Sequence, residues 1–453
     1  MNAAGPVGAG GVAGPPAPVS FGEAFRFWLR LGFISFGGPA GQIAVMHTEL
    51  VERRRWISEK RFLHALNYCM LLPGPEAIQL AIYIGWLLHR VRGGVVAGVL
   101  FLLPSVFILV ALSWIYMAYG QLSAVAGIFY GIKPAVVAIV IAAAWRIGSR
   151  ALKHPSLWAI SVAAFVAIFV FAVPFPAIVI AAAVAGALGG RYAPQVFAGG
   201  GGHGGVRTSY GPALIDDDTP TPEHARYSLA RLSRVLGIGL ALWAAGSGAL
   251  IAAFSWEHTA TQMGWFFTKA ALLTFGGAYA VLPYVYQAAV EQYQWLTAVQ
   301  MIDGLALGET TPGPLIMVVA FVGFVGGWAK ELFGPEHRFL SGTLCALVAT
   351  FFTFLPSFIF ILIGGPLVET THGELKFTAP LTGITAAVVG VIVSLAVFFS
   401  RHVFFPLAAA PDWISAAGAA IALVALMRFK VDLIALILAM GGAGMVLRLS
   451  GLA

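Results

Sequence analysis

The chain has 453 residues, of which 59% are hydrophobic and only 10% are charged, and its mean hydropathy is +0.88. Soluble domains carry roughly a quarter charged residues, so this composition excludes a soluble globular protein and indicates a multi-pass membrane protein. The apolar runs have the length of helices, not the alternation of barrel strands, and we interpret the net charge of +7 as a mark of cytoplasmic loops, not of nucleic-acid binding.

The predicted elements begin after an uncharged tail at residues 1–20, which we expect to be disordered. Residues 21–190 contain six apolar segments and form a first transporter repeat. A flexible polar linker, rich in glycine and proline, spans 191–228, and an extra connecting helix spans 229–254. Residues 255–453 contain six more segments and form a second repeat. The expected fold is therefore an all-α membrane protein of thirteen segments (six, one and six).

Glycine, proline and tryptophan landmarks of the first repeat recur in the second at a constant spacing. Three recur 239 residues later, and one recurs after 252: Ser35-Phe36-Gly37-Gly38 as Thr274-Phe275-Gly276-Gly277, Trp56 as Trp295, Pro73-Gly74-Pro75 as Pro312-Gly313-Pro314, and Leu103-Pro104-Ser105 as Leu355-Pro356-Ser357. A constant offset across several landmarks indicates an internal duplication.

The Gly-Gly and Pro-Gly-Pro motifs interrupt the first two apolar segments of each repeat. They leave arms of about 11–15 residues, whereas an unbroken span needs about 20. We therefore predict broken or re-entrant helices, whose inward N-termini carry partial positive charge and free N–H groups that suit an anion. A plain proline kink is the alternative for one break, but two matched pairs of breaks favour a buried binding site.

The basic residues of the first repeat indicate its orientation. They follow the first, second, fourth and last segments, and if the two interrupted segments are re-entrant, all these loops lie on one side, the cytoplasm. The cluster of five cations at 53–61 aligns with positions at 292–300 that carry none. This difference favours an inverted second repeat, and the loss of charge from a single loop is the alternative.

Few ionisable residues lie within the apolar segments, and each is a candidate functional residue. Arg30 and Lys269 precede the two Gly-Gly motifs at the same offset, and Lys133 lies deep in its segment. Three cations suit a divalent oxyanion. The alternatives are snorkelling to the interface for the first two and pairing with a carboxylate for Lys133. Glu76 and Glu309, beside the Pro-Gly-Pro motifs, are candidates for coupling, although Glu76 also favours the dipole of its helix.

The predicted substrate-binding set joins the cations to the breaks and to one amide: Arg30, Gly37, Gly38, Pro73, Gly74, Pro75, Gln79, Lys133, Lys269, Gly276, Gly277, Pro312, Gly313 and Pro314. No nucleotide-binding or hydrolase motif occurs, and Cys69 and Cys345 form no metal-binding pattern. We therefore expect a protein that is not an enzyme, has no cofactor or metal, and uses an ion gradient or the membrane potential.

Four motifs together resemble the chromate ion transporter family of the long-chain, two-repeat type. They are Phe36-Gly37-Gly38-Pro39, the run from Val51 to Trp56, Leu72-Pro73-Gly74-Pro75 followed by Gln79, and Leu103-Pro104-Ser105. The resemblance implies an inner-membrane protein that exports chromate, confers chromate resistance and meets competition from sulfate. One departure is Gly41-Gln42, where family members often carry a histidine soon after Gly-Gly-Pro.

These observations predict a secondary transporter for a tetrahedral dianion, with its site between the repeats. Chromate is the leading candidate for the substrate. Transport of sulfate or another oxyanion, an anion channel, and a membrane enzyme such as a chromate reductase remain as alternatives. Nucleic acid is not an expected partner, and the oligomeric state, monomer or homodimer, is left open.

Overall fold

The computed structural model describes residues 16–36, 38–197, 210–275, 277–370, 378–406 and 410–452. Within these ranges the chain is helical and contains no β-strand, although Ile57 and Ile215 form one isolated bridge. Most of the predicted tail lies outside the described residues, as do the glycine-rich part of the linker at 198–209, Gly37 and Gly276.

The helices of the first half follow the predicted segments closely. They are α1 (Phe21–Ile34), α2 (Gly38–His47), α3 (Glu59–Cys69), α4 (Glu76–Tyr119), α5 (Ser123–Ala151), α6 (Pro155–Phe169), α7 (Phe175–Tyr192) and the short α8 (Pro194–Phe197). α4 consists of two helical stretches joined by a bend at His89 and Arg90, which have non-helical backbone angles.

The second half begins after a single connecting helix. That helix is α9 (Leu229–Phe254), and the second half contains α10 (Thr259–Leu272), α11 (Ala278–Tyr286), α12 (Ala298–Thr310), α13 (Val318–Lys330), α14 (Arg338–Thr370), α15 (Thr378–Phe404), α16 (Trp413–Met427) and α17 (Leu433–Leu449). α9 occupies the range in which the sequence predicts the connecting helix. Short helices end at each Gly-Gly and Pro-Gly-Pro motif, where Gly38, Gly74, Gly277 and Gly313 have positive φ values that a helix interior cannot contain.

Among the described residues, six helices are long and apolar enough to cross a membrane: α4, α5, α7, α9, α14 and α15. α6, α16 and α17 are apolar but have only 15 to 17 residues. Large apolar side chains such as Phe107, Ile180 and Leu438 are exposed on the outer surface. A helical body with such a surface is a multi-pass membrane protein.

Unusual backbone features occur at matching places before and after α9. Two short π-helical turns, Thr48–Arg53 and Gln287–Gln292, are separated by the same offset as the sequence landmarks. Arg55 and Gln294, which correspond at that offset too, both have a positive φ, at 52° and 50°. π-helical turns are rare, and a positive φ is uncommon in residues other than glycine, so the two halves share the same irregular backbone path here.

The two halves are interlocked. α5 packs against α16 and α17, and α15 packs against α6 and α7. Glycines permit the close approach: Gly131 faces Gly444, and Gly383 faces Gly186. Small residues at such crossings let the helix backbones come near each other in a membrane. The halves therefore form one body.

The second part of the predicted linker makes defined contacts with the helices. Residues 210–228 pack against the helices: the Ser58 N–H donates to the Ile215 carbonyl at 3.0 Å, and His224 Nε2 donates to the Trp86 carbonyl at 3.0 Å. Ile215 and Ala225 are buried. These few apolar residues, surrounded by polar sequence, anchor the segment.

One end of the molecule collects most of the basic positions of the first half. Arg54 lies 3.4 Å from Glu23, the His89 ring bonds the Val19 carbonyl at 2.9 Å, and Arg61 lies 3.4 Å from Glu369. The ends of α5 and α7 lie on the same side. Leu152, just after α5, and Phe197, shortly after α7, belong to one buried cluster, and the end of α7 packs on the start of α15. We call this side, formed by the starts of α1 and α3, the bend of α4 and the ends of α5, α7 and α14, the basic face.

Candidate functional site

The Pro-Gly-Pro turn of each half lies against the other half. The Gly313 N–H donates to the Ser35 carbonyl at 2.7 Å, and the Gly74 N–H donates to the Thr274 carbonyl at 2.7 Å. The two donors lie 239 residues apart in the sequence, and so do the two acceptors, so the contact is reciprocal. We call this meeting of the breaks the junction; it exists only when both halves are assembled.

Buried polar side chains support the junction. Ser105 donates to the Pro312 carbonyl, and the Gln42 amide donates to the Gly313 carbonyl. Gln79 donates to the Pro73 carbonyl at 2.8 Å. Gln79, predicted to bind the oxyanion, therefore engages its own break through its amide. Gln42 performs the same task across the halves and was missed by sequence reasoning.

Gly74 and Gly313 are required by the backbone geometry. Their φ values are +123° and +97°, in the region that other residues rarely adopt. A Cβ atom at Gly74 would lie 2.5 Å from the Ser357 hydroxyl oxygen, and one at Gly313 would overlap the Ser105 hydroxyl. The close approach of the halves thus depends on both glycines.

Helices that begin at the breaks have no side-chain cap. Pro75 at the start of α4 and Gly277 at the start of α11 provide no side-chain hydrogen bond to the first turn, although the Gly277 carbonyl accepts from the Ala280 N–H at 3.1 Å. In contrast, Ser58 and Thr297 cap the starts of α3 and α12. At helix starts without a side-chain cap, first-turn N–H groups that have no partner within the protein can bind a ligand or water.

A cavity of about 550 Å³ adjoins the junction. Gly38, Tyr279 and Glu309 line its inner part, where the Tyr279 hydroxyl donates to the buried Glu309 carboxylate. The cations on its wall are Arg146, Arg150 and Lys430, all exposed. Because Arg146 and Arg150 belong to the last turns of α5, the cavity opens toward the basic face.

The charges of this cavity suit a small divalent anion. Three cations face one carboxylate, and the volume falls in the range of small-molecule sites, about 300–1,000 Å³. Sequence reasoning used Arg146 and Arg150 only to orient the loops and did not select Lys430. No linear signal joins them, since α5 and α16 approach only in the folded protein.

The three cations selected from the sequence lie elsewhere. Arg30 is exposed on α1, and the Lys269 ammonium lies 5.7 Å from the ring centroid of Trp265. Lys133 lies 3.8 Å from Asp303 and lines a separate cavity of about 240 Å³. None of the three lines the cavity at the junction.

Asp303 is a buried carboxylate that sequence reasoning missed. It is 2% exposed and accepts a hydrogen bond from the Tyr116 hydroxyl at 2.9 Å. Its pairing with Lys133 corresponds to the structural alternative raised for that lysine. Asp303 and Glu309 both lie on α12, one in each cavity.

The remaining candidates are close to the junction. Glu76 lies on the first turn of α4, and a Cβ atom built on Gly277 would be 3.9 Å from its carboxylate. Gly37 and Gly276 lie outside the described residues. Among the described residues, no group of acidic, histidine or cysteine side chains could hold a metal ion.

Apolar helices, paired breaks and a polar cavity beside them define a multi-pass membrane protein with an internal polar site. The family model of the chromate transporter matches residues 22–187 and 261–445. The chain belongs to this family, which confirms the resemblance drawn from the motifs.

Curated relatives agree with this assignment. The chromate transport protein of Pseudomonas aeruginosa is 32% identical over 433 residues, which are 95% of this chain and 93% of that protein. The chromate transport protein of Cupriavidus metallidurans is 29% identical over 377 residues, 83% and 82% of the two chains. No solved structure matches the chain.

Proposed function

We propose that this protein is a secondary transporter that exports chromate across the inner membrane and thereby confers chromate resistance. The observation that carries the proposal is the cavity in which Arg146, Arg150 and Lys430 face the junction. Relatives named as chromate transport proteins support the choice of substrate.

The oxyanion enters from the basic face, where the cations balance its two charges. Deeper in the cavity it meets Gly38 and the uncapped start of α11, whose N–H groups donate to its oxygens. The protonation state of Glu309 controls whether the anion binds at this position. An ionised carboxylate repels the dianion, whereas a protonated one donates a hydrogen bond to it, so the protonation of Glu309 links transport to pH.

We further propose that the two matched regions are inverted repeats, giving thirteen membrane segments with α9 as the connection. The reciprocal hydrogen bonds at Gly74 and Gly313 support a two-fold relation between them. The loss of cations between 53–61 and 292–300 supports inversion. Two such halves place broken helices around a central site, as in other secondary transporters.

The membrane potential supplies the driving force. A potential of 100 mV, negative inside, favours the exit of each negative charge by about 2.3 kcal/mol. A dianion therefore gains about twice that energy on leaving, and no nucleotide site is needed.

Chromate and sulfate uptake into membrane vesicles of both orientations tests this proposal. We expect saturable chromate flux that Arg146→Gln/Lys430→Gln lowers at least about tenfold, the equivalent of about 1.4 kcal/mol. Lys153→Gln, which removes an exposed cation just beyond α5, is the matched control and should transport normally. Arg30→Gln/Lys269→Gln should also transport normally.

Other outcomes identify the rival functions. Loss of flux in Arg30→Gln/Lys269→Gln with normal flux in Arg146→Gln/Lys430→Gln would move the site to the residues selected from the sequence. Preference for sulfate would indicate a transporter of another oxyanion. Flux that does not saturate would indicate a channel, and Cr(III) formed by purified protein would indicate a reductase.

A further inference from the structure

A second cavity, of about 380 Å³, lies on the basic face between the start of α3 and the end of α14. Lys60, Arg61 and His64 line it together with the carboxylates of Asp217 and Glu369. Three nitrogen-bearing side chains around one small cavity form an anion-binding set, since each can donate hydrogen bonds to an oxyanion.

Carboxylates hold these cations only loosely. Arg61 lies 3.4 Å from Glu369 and donates to the Thr219 carbonyl at 2.6 Å, and Lys60 lies 3.8 Å from Asp217. A guanidinium has five N–H donors, so this arrangement leaves donors of Arg61 for another partner. The carboxylate oxygens occupy positions that an oxyanion can take.

Asp217 is the partner that can leave. It belongs to the docked part of the linker, is partly exposed, and receives a hydrogen bond from the Ser58 hydroxyl at 2.6 Å. Glu369, in contrast, is 8% exposed and accepts from the Tyr83 hydroxyl. Binding of a dianion therefore exchanges the Asp217 carboxylate for the ligand while Glu369 stays in place.

The other half contains a cavity at the corresponding place, but different side chains line it. Lys60, Arg61 and His64 correspond, 239 residues later, to Val299, Gln300 and Asp303, and Val368 and Glu369 correspond, 252 residues earlier, to Tyr116 and Met117. All five counterparts line the cavity of about 240 Å³ that contains Lys133.

The contacts correspond as well as the positions. The ion pair of Arg61 with Glu369 is replaced by a contact of the Gln300 amide with the Met117 sulfur at 4.0 Å. His64, which bonds the Val368 carbonyl at 3.1 Å, is replaced by Asp303. The cavity on the basic face thus carries cations at these positions, whereas the matching cavity of the other half carries neutral or acidic side chains there.

We propose that Lys60, Arg61 and His64 form a capture site for a tetrahedral divalent oxyanion at the basic face. The matching cavity of the other half has no such site. This inference rests on the proposed function and adds a kinetic asymmetry to it: the protein collects its anion from the basic face at lower concentrations than from the opposite face. The equilibrium direction is still set by the membrane potential.

Two sets of substitutions with opposite expected effects test the capture site. Lys60→Gln/Arg61→Gln/Glu369→Gln removes the cations together with the buried carboxylate, so no buried charge is left unpaired and the introduced amide can still bond the Tyr83 hydroxyl. We expect the half-saturating chromate concentration from the basic face to rise about tenfold at low salt. Asp217→Asn removes the competing carboxylate and should lower that concentration several-fold.

The maximal rate and the half-saturating concentration from the opposite face should not change in either variant. At about 1 M salt, where screening acts within about 3 Å, the difference from wild type should shrink. Arg53→Gln/Arg55→Gln is the matched control, because it removes two cations of the same face that do not line this cavity. It should behave as wild type.

Equilibrium dialysis of radiolabelled sulfate with purified protein gives an independent readout, with two binding classes expected in wild type and one in the triple variant. Unchanged half-saturation and binding in both variants would overturn the capture site while leaving transport intact. Absence of chromate flux in wild type would instead overturn the proposed function, and loss of a sulfate class in the triple variant would still support the site.

Discussion

Gly313→Ala should weaken the contact between the two halves. The backbone at this position has a φ of +97°, which costs a residue other than glycine about 1–2 kcal/mol. The added methyl group would also overlap the Ser105 hydroxyl. Ser105 must then turn away and leave the buried Pro312 carbonyl without its donor, at about 1–2 kcal/mol. The expected total is about 2–4 kcal/mol, a fall of several degrees in melting temperature.

A double-mutant cycle separates the two contributions. In Ser105→Ala/Gly313→Ala the overlap is removed, since the nearest remaining atom, Ser105 Cβ, is 3.2 Å away. The double variant should therefore melt at a higher temperature than the sum of the single effects predicts. Gly442→Ala in α17, where a methyl group meets nothing within 4 Å, is the control and should be neutral or slightly stabilising.

The assay is thermal unfolding of detergent-solubilised protein followed by tryptophan fluorescence. Two results would refute the reasoning: a melting temperature of Gly313→Ala equal to that of wild type, or strictly additive effects of the two substitutions. Either would mean that the junction does not hold the halves at the observed separation.

Three further predictions concern charged and titratable groups. Glu309→Gln removes the carboxylate that faces the anion, so the half-saturating chromate concentration should fall about tenfold, about 1.4 kcal/mol, and flux should lose its pH dependence; a pH series of vesicle uptake checks this. Asp303→Asn leaves the Lys133 charge without its buried partner and should destabilise the protein by about 1–3 kcal/mol, discounted for the partial exposure of the lysine, whereas Lys133→Met/Asp303→Asn should recover part of the loss in melting temperature. Burial lowers the pKa of the His224 imidazole in the folded protein. The docked neutral ring therefore contributes its full stabilisation above the ordinary pKa of about 6.5, and this contribution is lost as the pH falls through the lower pKa of the folded state. Protease cleavage within 210–228 should therefore increase below about pH 6 in wild type and depend less on pH in His224→Asn.

Sequence reasoning reached the membrane class, the family and the places where helices end. These properties depend on local chemistry: runs of apolar side chains make membrane helices, and the combined Gly-Gly and Pro-Gly-Pro motifs interrupt them, whereas single prolines such as Pro104 and Pro134 lie inside helices. The motifs at Pro73-Gly74-Pro75 and Pro312-Gly313-Pro314 therefore predicted helix ends that the structure contains. The constant offset between the duplicated landmarks also anticipated matching backbone features, such as the two π-helical turns.

The partners of the charged residues could not be predicted in this way. Lys133 looked like an anion ligand because Asp303, its partner, lies far along the chain in the other half. The contacts of residues 210–228 could not be predicted either, because polar residues there outnumber Ile215 and Ala225, the two buried residues that anchor the segment. Composition averages over a segment, whereas docking depends on a few side chains that find a complementary surface.

By itself, the sequence determined what kind of protein this is and where its helices break, because backbone preferences and hydrophobicity act over a few neighbouring residues. Only the tertiary structure decided that Gly74 pairs with Thr274 and Gly313 with Ser35, and that Arg146 and Lys430 converge on the cavity of Glu309. Those contacts arise from the packing of α5 against α16 and of each half against the other. Their geometry depends on the assembled body and is not encoded in any single stretch of the chain.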